Sequence, residues 1–171
     1  MKRILVAGIG NVFLGDDAFG VEVARRLVQR PLPEEVTVID FGIRGLDLAY
    51  ALLDGYDLAL LIDAVRRCGA PGTLYVLEPD TDNCNRNEQT VDAHGMVPEQ
   101  AIQFARGVGA NLPPLRLIGC EPATLDSVED GVLRLSEPVQ AAVEPAIELI
   151  QCLIEEVLHK AEAETTSQLH A

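Results

Sequence analysis

The chain has 171 residues, the size of one domain with a single large core. Its hydrophobic fraction of 48% excludes a disordered chain, and no apolar run approaches the roughly 18 residues that span a bilayer. The formal net charge of -14 makes nucleic acid and polyphosphate poor partners, because their binding depends on Lys and Arg, whereas a metal ion or a basic peptide would be attracted.

The N-terminus and the cysteines indicate the cellular compartment of the protein. Lys2 and Arg3 lead directly into an apolar strand, with no signal-peptide pattern. The four cysteines are spread along the chain without a Cys-x-x-Cys pair. We therefore expect a cytoplasmic protein with reduced thiols and no membrane insertion.

The first strand and the turn after it are the most informative stretch of the sequence. Ile4-Leu5-Val6-Ala7 has the length and composition of a buried strand, and a helix is predicted from Asp17 to about Gln29. A turn between a parallel strand and its helix lies at the carboxyl edge of the sheet, where ligands bind. The residues of this turn are therefore candidates for function.

A dinucleotide site is the first interpretation of Gly8-Ile9-Gly10, with Asp40 as the acid that binds a ribose. Phe13 stands where the third glycine of that motif is required, so the motif is incomplete. Asp16 and Asp17 would repel a phosphate at the helix start. The turn therefore suits a cation, with one of the two acids free to cap the helix.

Four further apolar runs have the length of strands: Val36 to Ile39, Leu58 to Ile62, Thr73 to Leu77 and Leu115 to Gly119. Three further helices are predicted at Leu46 to Leu53, at Pro98 to about Gly109, and from Ser136-Glu137-Pro138 onward with a kink at Pro145. The fourth strand follows the third after only about ten residues, too few for a parallel crossover, so it should run antiparallel.

These elements predict an α/β fold, a three-layer sandwich with helices on both faces of a five-stranded, mostly parallel twisted sheet. A strand order of 2-1-3-5-4, with the fourth strand antiparallel, satisfies the connections. We expect one domain over residues 1–160 and a polar C-terminal tail over 161–171.

Three side chains are predicted to meet at the carboxyl edge of this sheet. Asp17 follows the first strand, Asp63 follows the central strand, and His94 lies in a loop before a helix. The other two histidines, His159 and His170, lie at the polar C-terminal end. Two carboxylates and an imidazole would form a divalent-metal site with a free position, suited to zinc, nickel or a similar ion.

The chain also resembles a known family, the nickel-iron hydrogenase maturation endopeptidases. The resemblance covers nearly all of residues 3–158 and is specific as a set. It is carried by Gly8-Ile9-Gly10-Asn11, Asp16-Asp17 with Gly20, Ile62-Asp63-Ala64, His94 and Gly119-Cys120-Glu121-Pro122. Two departures are Ala18, where many members have glycine, and Cys120, where an aliphatic residue is usual.

The resemblance implies an endopeptidase that removes the C-terminal extension of a hydrogenase large-subunit precursor after nickel insertion. The family's metal-contacting acid, second acid and histidine match Asp17, Asp63 and His94, which would serve both metal contact and catalysis. Asp16, the neighbouring acid, is then the candidate for capping the helix. The nickel would be carried by the substrate, a nickel-loaded precursor, and zinc or cadmium could replace it in the isolated protein. The metal would act either as a Lewis acid or as a recognition tag.

Two alternatives stand beside this interpretation. A non-catalytic nickel chaperone would use the same three ligands and release the ion to a client. A cysteine hydrolase would use Cys120 and His94, but Glu121 beside the thiol should raise its pKa. The sequence contains no Gly-x-Ser-x-Gly elbow and no His-Glu-x-x-His helix, so metal-assisted hydrolysis is the favoured chemistry.

Overall fold

A twisted five-stranded sheet forms the centre of the protein. The computed structural model describes residues 2–79, 98–108, 111–125 and 134–168, with side chains as far as Lys160. The strands are β1 (Ile4–Ile9), β2 (Val36–Gly42), β3 (Leu58–Ala64), β4 (Leu74–Leu77) and β5 (Leu115–Cys120). Their order is β2-β1-β3-β5-β4, with β4 antiparallel to β5 and all other pairs parallel. Both the predicted strand order and the single antiparallel strand are confirmed.

Helices cover both faces of the sheet, as predicted for a three-layer α/β sandwich. They are α1 (Phe19–Leu27), α2 (Gly45–Ala51), α3 (Pro98–Gly107) and α4 (Glu137–Gln168). One buried cluster joins α1 and α4 to one face of the sheet, and a second joins α2 and α3 to the other. All six residues of β1 and the first five of β3 are buried, which explains their continuous apolar sequences. Within the described ranges, no helix is both long and apolar enough to cross a bilayer.

The helices differ by one or more residues from the predicted boundaries, and α2, for example, is Gly45–Ala51 where Leu46 to Leu53 was predicted. The first helix was predicted from Asp17, but Gly15–Ala18 forms a 3-10 turn and α1 begins at Phe19. The tighter turn arises because the N–H of Asp17 donates to the carbonyl of Leu14, three residues earlier, at 3.0 Å. At the other end, α4 continues to Gln168, through most of the predicted polar tail. Pro145 lies inside α4, and the kink there stays a prediction.

Glycine allows α1 to begin in direct contact with the ends of β1 and β3. A Cβ atom added to Gly20 would lie 2.0 Å from the carbonyl oxygen of Ile62 and 2.4 Å from that of Ile9. Gly8 faces the same contact, since its Cβ would lie 2.4 Å from the carbonyl oxygen of Gly20. Because only glycine lacks this atom, the helix approaches both strands backbone to backbone. The turn before the helix is thereby placed at the carboxyl edge of the sheet.

We predict that Gly20→Ala destabilises the protein by about 2 kcal/mol or more, because the new methyl group meets backbone oxygens that cannot move aside cheaply. Gly107→Ala is the matched control, since a Cβ at that end of α3 would have nothing within 4 Å. It should change stability by less than about 1 kcal/mol, in the stabilising direction. Urea unfolding of both variants measures the difference, and equal midpoints would contradict the close contact.

Candidate metal centre

Asp17 lies in the 3-10 turn that follows β1, and its side chain is half-buried. Its Oδ2 atom accepts a hydrogen bond from the N–H of Asn11 at 2.7 Å. Gly10 has a φ of +135°, and a Cβ there would lie 1.7 Å from the carbonyl oxygen of Asp17, so the chain crosses itself closely at this point. The turn therefore fixes one oxygen of Asp17, and no residue in the described ranges is hydrogen-bonded to the other.

Asp63 is the penultimate residue of β3 and pairs in register with Gly119 of β5, so it stands at the same edge of the sheet. Its side chain is half-buried, and Oδ1 accepts the N–H of Ala64 at 2.8 Å. Burial, the largest cause, and the negative charges of Asp17 and Glu99 together raise the pKa of Asp63 to about 8, against a smaller lowering by the Ala64 hydrogen bond. Asp17 therefore acts electrostatically on the carboxyl group of Asp63.

Two neighbouring carboxylates at this edge favour a cation. When both are ionised they repel each other, and a bound divalent ion would replace that repulsion with attraction to both. Carboxylate oxygens are ligands for zinc and for related divalent ions. Asp17 and Asp63 therefore fit a metal site on the chemistry of their donor atoms.

The third predicted ligand, His94, lies outside the described residues. Among those that are described, no three His, Cys, Asp or Glu side chains are grouped closely enough to hold a metal. Glu99, in the first turn of α3, does act on Asp63, so this turn approaches the carboxyl edge. Sequence reasoning missed this role of Glu99, which only the packing of α3 reveals.

Asp16 does not cap a helix, which corrects the role predicted for it. The N-cap positions of the 3-10 turn and of α1 are Leu14 and Ala18, and neither uses a side-chain capping bond. The side chain of Asp16 is fully buried and instead binds Ala123, Thr124 and Ser136. The prediction failed because the 3-10 turn moves the helix start beyond the reach of this carboxylate.

Cys120 is buried in the core between the sheet and the face formed by α1 and α4. Burial raises the pKa of its thiol to about 12, and the charges of Asp16 and Glu121 contribute in the same direction. The predicted effect of Glu121 on this thiol is confirmed. A nucleophilic cysteine needs an accessible thiolate, so the structure does not support the cysteine hydrolase.

Glu121 organises the loop that follows Asp63. Its buried carboxylate accepts the N–H of Arg67 at 2.8 Å and the hydroxyl of Tyr75 at 2.9 Å, together with the N–H groups of Cys68 and Gly69. Burial alone would raise the pKa of Glu121, but these hydrogen bonds outweigh it and lower the pKa below its usual value. Sequence reasoning missed this residue as an anchor, because the loop and Glu121 are far apart in the chain.

The raised pKa of Asp63 predicts that the metal-free protein loses stability as the pH rises. Below about pH 4, Asp63 is protonated in both the folded and the unfolded chain. Between about pH 4 and a folded-state pKa of about 8, only the unfolded chain releases the proton, so the free energy of unfolding falls across this window. Asp63→Asn removes the effect, and we expect it to be more stable than the wild type by at least about 1 kcal/mol at pH 8.

Urea unfolding in a chelator at pH 5 and pH 8 measures this difference. Asp54→Asn, at an exposed carboxylate in the connection between α2 and β3, is the control and should show no growing gain. A constant difference between Asp63→Asn and the wild type at both pH values would contradict the raised pKa.

Sequence comparison gives relatives of one kind. Residues 21–152 match the family described as hydrogenase maturation protease. The hydrogenase 2 maturation protease of Escherichia coli is 30% identical over 155 residues, covering 90% of this chain and 92% of that protein. The hydrogenase expression/formation protein HupM of Azotobacter chroococcum is 32% identical over 155 residues, covering 90% of this chain and 72% of that protein.

Comparison with solved structures leads to the same family as the sequence comparison. The hydrogenase maturating endopeptidase HybD from Escherichia coli superposes with a TM-score of 0.73 at 29% identity, covering 91% of this chain and 94% of that one. A hydrogenase 2 maturation peptidase from a Thaumarchaeota archaeon superposes with a TM-score of 0.65 at 35% identity, covering 90% and 99%. From the family match and these relatives, the chain belongs to the hydrogenase maturation proteases, a family of peptidases.

Proposed function

We propose that this protein is an endopeptidase that removes the C-terminal extension of a nickel-iron hydrogenase large-subunit precursor after nickel insertion. It recognises the nickel of the substrate through Asp17, Asp63 and His94. The observation that carries the proposal is the pair of interacting carboxylates, Asp17 and Asp63, at the carboxyl edge of the sheet. Membership in the hydrogenase maturation protease family supplies the reaction class.

The raised pKa of Asp63 explains how this pair would select a charged substrate. Near neutral pH a proton and a metal ion compete for the carboxylate of Asp63. A metal ion that the substrate brings close to both carboxylates displaces the proton. Two carboxylates and one imidazole leave coordination positions that thiolates of a hydrogenase subunit could fill. The nickel would then bridge the enzyme and its substrate.

His94 as the third ligand is supported by the chain that follows it. His94 precedes Pro98, the first residue of α3, by four positions, a span of at most about 14 Å in extended chain. Glu99 of the same turn acts electrostatically on Asp63. This spacing along the chain agrees with a ligand at His94.

The reaction is hydrolysis of one peptide bond. The oxygen of a water molecule bonds to the carbonyl carbon, the C–N bond breaks, and a proton passes to the leaving amine. The nickel or one of the two carboxylates activates the water near the scissile bond. The products are a shortened large subunit with a new C-terminal carboxylate and a free peptide. We place this reaction in the cytoplasm, on a precursor that is neither nucleic acid nor membrane-embedded.

A nickel chaperone is the second candidate, because it would use the same ligands without cutting the partner. The two functions differ in one measurable product, the mass of the precursor. An unchanged mass after incubation, with nickel transferred to the precursor, would favour the chaperone.

We predict that the isolated protein binds one divalent ion such as zinc, nickel or cadmium. Replacing Asp17, Asp63 or His94 with Ala should weaken binding at least tenfold, which is about 1.4 kcal/mol or more, because each removes one ligand. Asp54→Ala, which removes an exposed carboxylate away from the site, should bind as the wild type does. Titration calorimetry measures the affinities, and wild-type affinity in the Asp17 and His94 variants would remove the site from consideration.

We also predict that cleavage occurs only on the nickel-loaded precursor. The physical reason is the bridging role of the metal, since the nickel-free precursor offers nothing for the two carboxylates to bind. Precursor made with and without nickel is incubated with the enzyme, and the released C-terminal peptide is measured by mass spectrometry. Equal cleavage of both forms would reject nickel recognition while keeping the peptidase, and cleavage of neither form, with partner binding intact, would favour the chaperone.

A further inference from the structure

Asp16 is a fully buried carboxylate next to a proposed metal ligand. Its exposed fraction is 0%, and among the residues that the structure describes, Asp16 and Glu121 are the buried polar or charged side chains. A buried carboxylate is costly unless hydrogen bonds compensate for the lost water. The hydrogen bonds of Asp16 therefore decide what this residue does.

Four hydrogen bonds tie Asp16 to two distant segments. Its Oδ2 atom accepts the N–H of Ala123 at 2.8 Å, the N–H of Thr124 at 3.0 Å and the hydroxyl of Ser136 at 2.9 Å. Its Oδ1 atom accepts the N–H of Ser136 at 2.6 Å. The N–H of Asp16 also donates to the carbonyl of Thr124 at 3.1 Å. The 3-10 turn is thus fastened to the chain after β5 and to the residue before α4.

These bonds act on Asp17 through the backbone that the two residues share. On one side of the turn, Asp16 is fixed by the four bonds; on the other, Asp17 holds the N–H of Asn11 at 2.7 Å. With fewer bonds on Asp16 the turn would have more freedom, and Asp17 would no longer be held in one place beside the end of β3.

The four bonds of Asp16 also stabilise the fold, because each donor that lost its acceptor would be left without a partner. Their place in the chain gives them a second effect, since they hold the residue next to Asp17. A carboxylate does bring two oxygens that can accept bonds from several donors at once, and all four donors lie outside the metal-binding loops. That is the requirement for holding a turn in one geometry.

We propose that Asp16 is a positioning residue, whose four hydrogen bonds hold the turn so that Asp17 is in place for the metal before the metal arrives. The inference rests on the proposed metal site but concerns a residue that does not touch the ion. Preorganised ligands avoid the ordering cost at the moment of binding. Loss of Asp16 should therefore loosen Asp17 specifically, and not only lower the stability of the whole protein.

Amide hydrogen exchange, measured by NMR on the metal-free chain, tests the proposal without any metal. The readout is the exchange rate of the Asn11 N–H, which reports on Asp17, divided by that of the Leu60 N–H in the buried centre of β3. In Asp16→Asn one of the two accepting oxygens becomes an NH2 group, which cannot accept a bond from a donor. We therefore expect this ratio to rise about tenfold or more. Ser136→Ala removes one of the four bonds and should raise the ratio by a smaller factor.

Ile147→Val is the control for a purely structural effect. Ile147 lies on α4 and is buried in the core cluster, so this substitution lowers stability and leaves the four hydrogen bonds of Asp16 in place. Its ratio should equal that of the wild type. An unchanged ratio in Asp16→Asn would overturn the proposal, and if Asp16→Asn fails to fold, an unchanged ratio in Ser136→Ala would overturn it.

Cobalt(II) binding separates this proposal from the metal site on which it rests. We expect Asp16→Asn to bind Co²⁺ at least about tenfold more weakly than the wild type, with a changed absorption spectrum because Asp17 is displaced. Equal affinity and spectrum in both proteins would overturn the positioning role alone. If the wild-type protein does not bind Co²⁺, the proposed metal site is wrong. The exchange ratio would then still test whether Asp16 holds the turn.

Discussion

The close contact between the start of α1 and the ends of β1 and β3 is the constraint on which the rest of the structure depends. Gly20 lies with its backbone against the carbonyl oxygens of Ile9 and Ile62, at distances that leave no room for a side chain. The turn that precedes the helix is therefore pressed against the carboxyl edge of two neighbouring strands. A functional group placed on this turn faces the end of β3 without any long or flexible connection.

The same constraint places two acidic side chains close together, and hydrogen bonds from the surrounding structure hold the segments that carry them. Asp17 and Asp63 are brought together in a half-buried place, where burial and mutual repulsion oppose ionisation. Two other acids, Asp16 and Glu121, use their buried oxygens to fasten the turn and the loop that carry the pair. Asp17 and Asp63 thus face the proposed metal, while Asp16 and Glu121 hold the backbone. The residue type alone does not distinguish these two roles.

Much of this arrangement follows from sequence, because hydrophobic runs and connection lengths restrict the topology strongly. The antiparallel β4 follows from a connection too short for a parallel crossover, and the meeting of Asp17 with Asp63 follows from parallel strands that end at one edge. What sequence could not supply depends on contacts between distant segments. Asp16 was expected to cap a helix because local capping is the commonest use of such an acid, but its partners lie more than a hundred residues away.

The bonds of Asp16 also hold both ends of one stretch of the chain. Thr124 and Ser136 are fastened to the same carboxylate, so the stretch between them begins and ends at one point in space. Lengthening a loop whose ends are held costs only closure entropy, about 0.6 kcal/mol for each doubling of its length. Insertions between these two residues would therefore leave Thr124 and Ser136 bound to the same carboxylate. The length of the chain between them can change without moving the turn that carries Asp17.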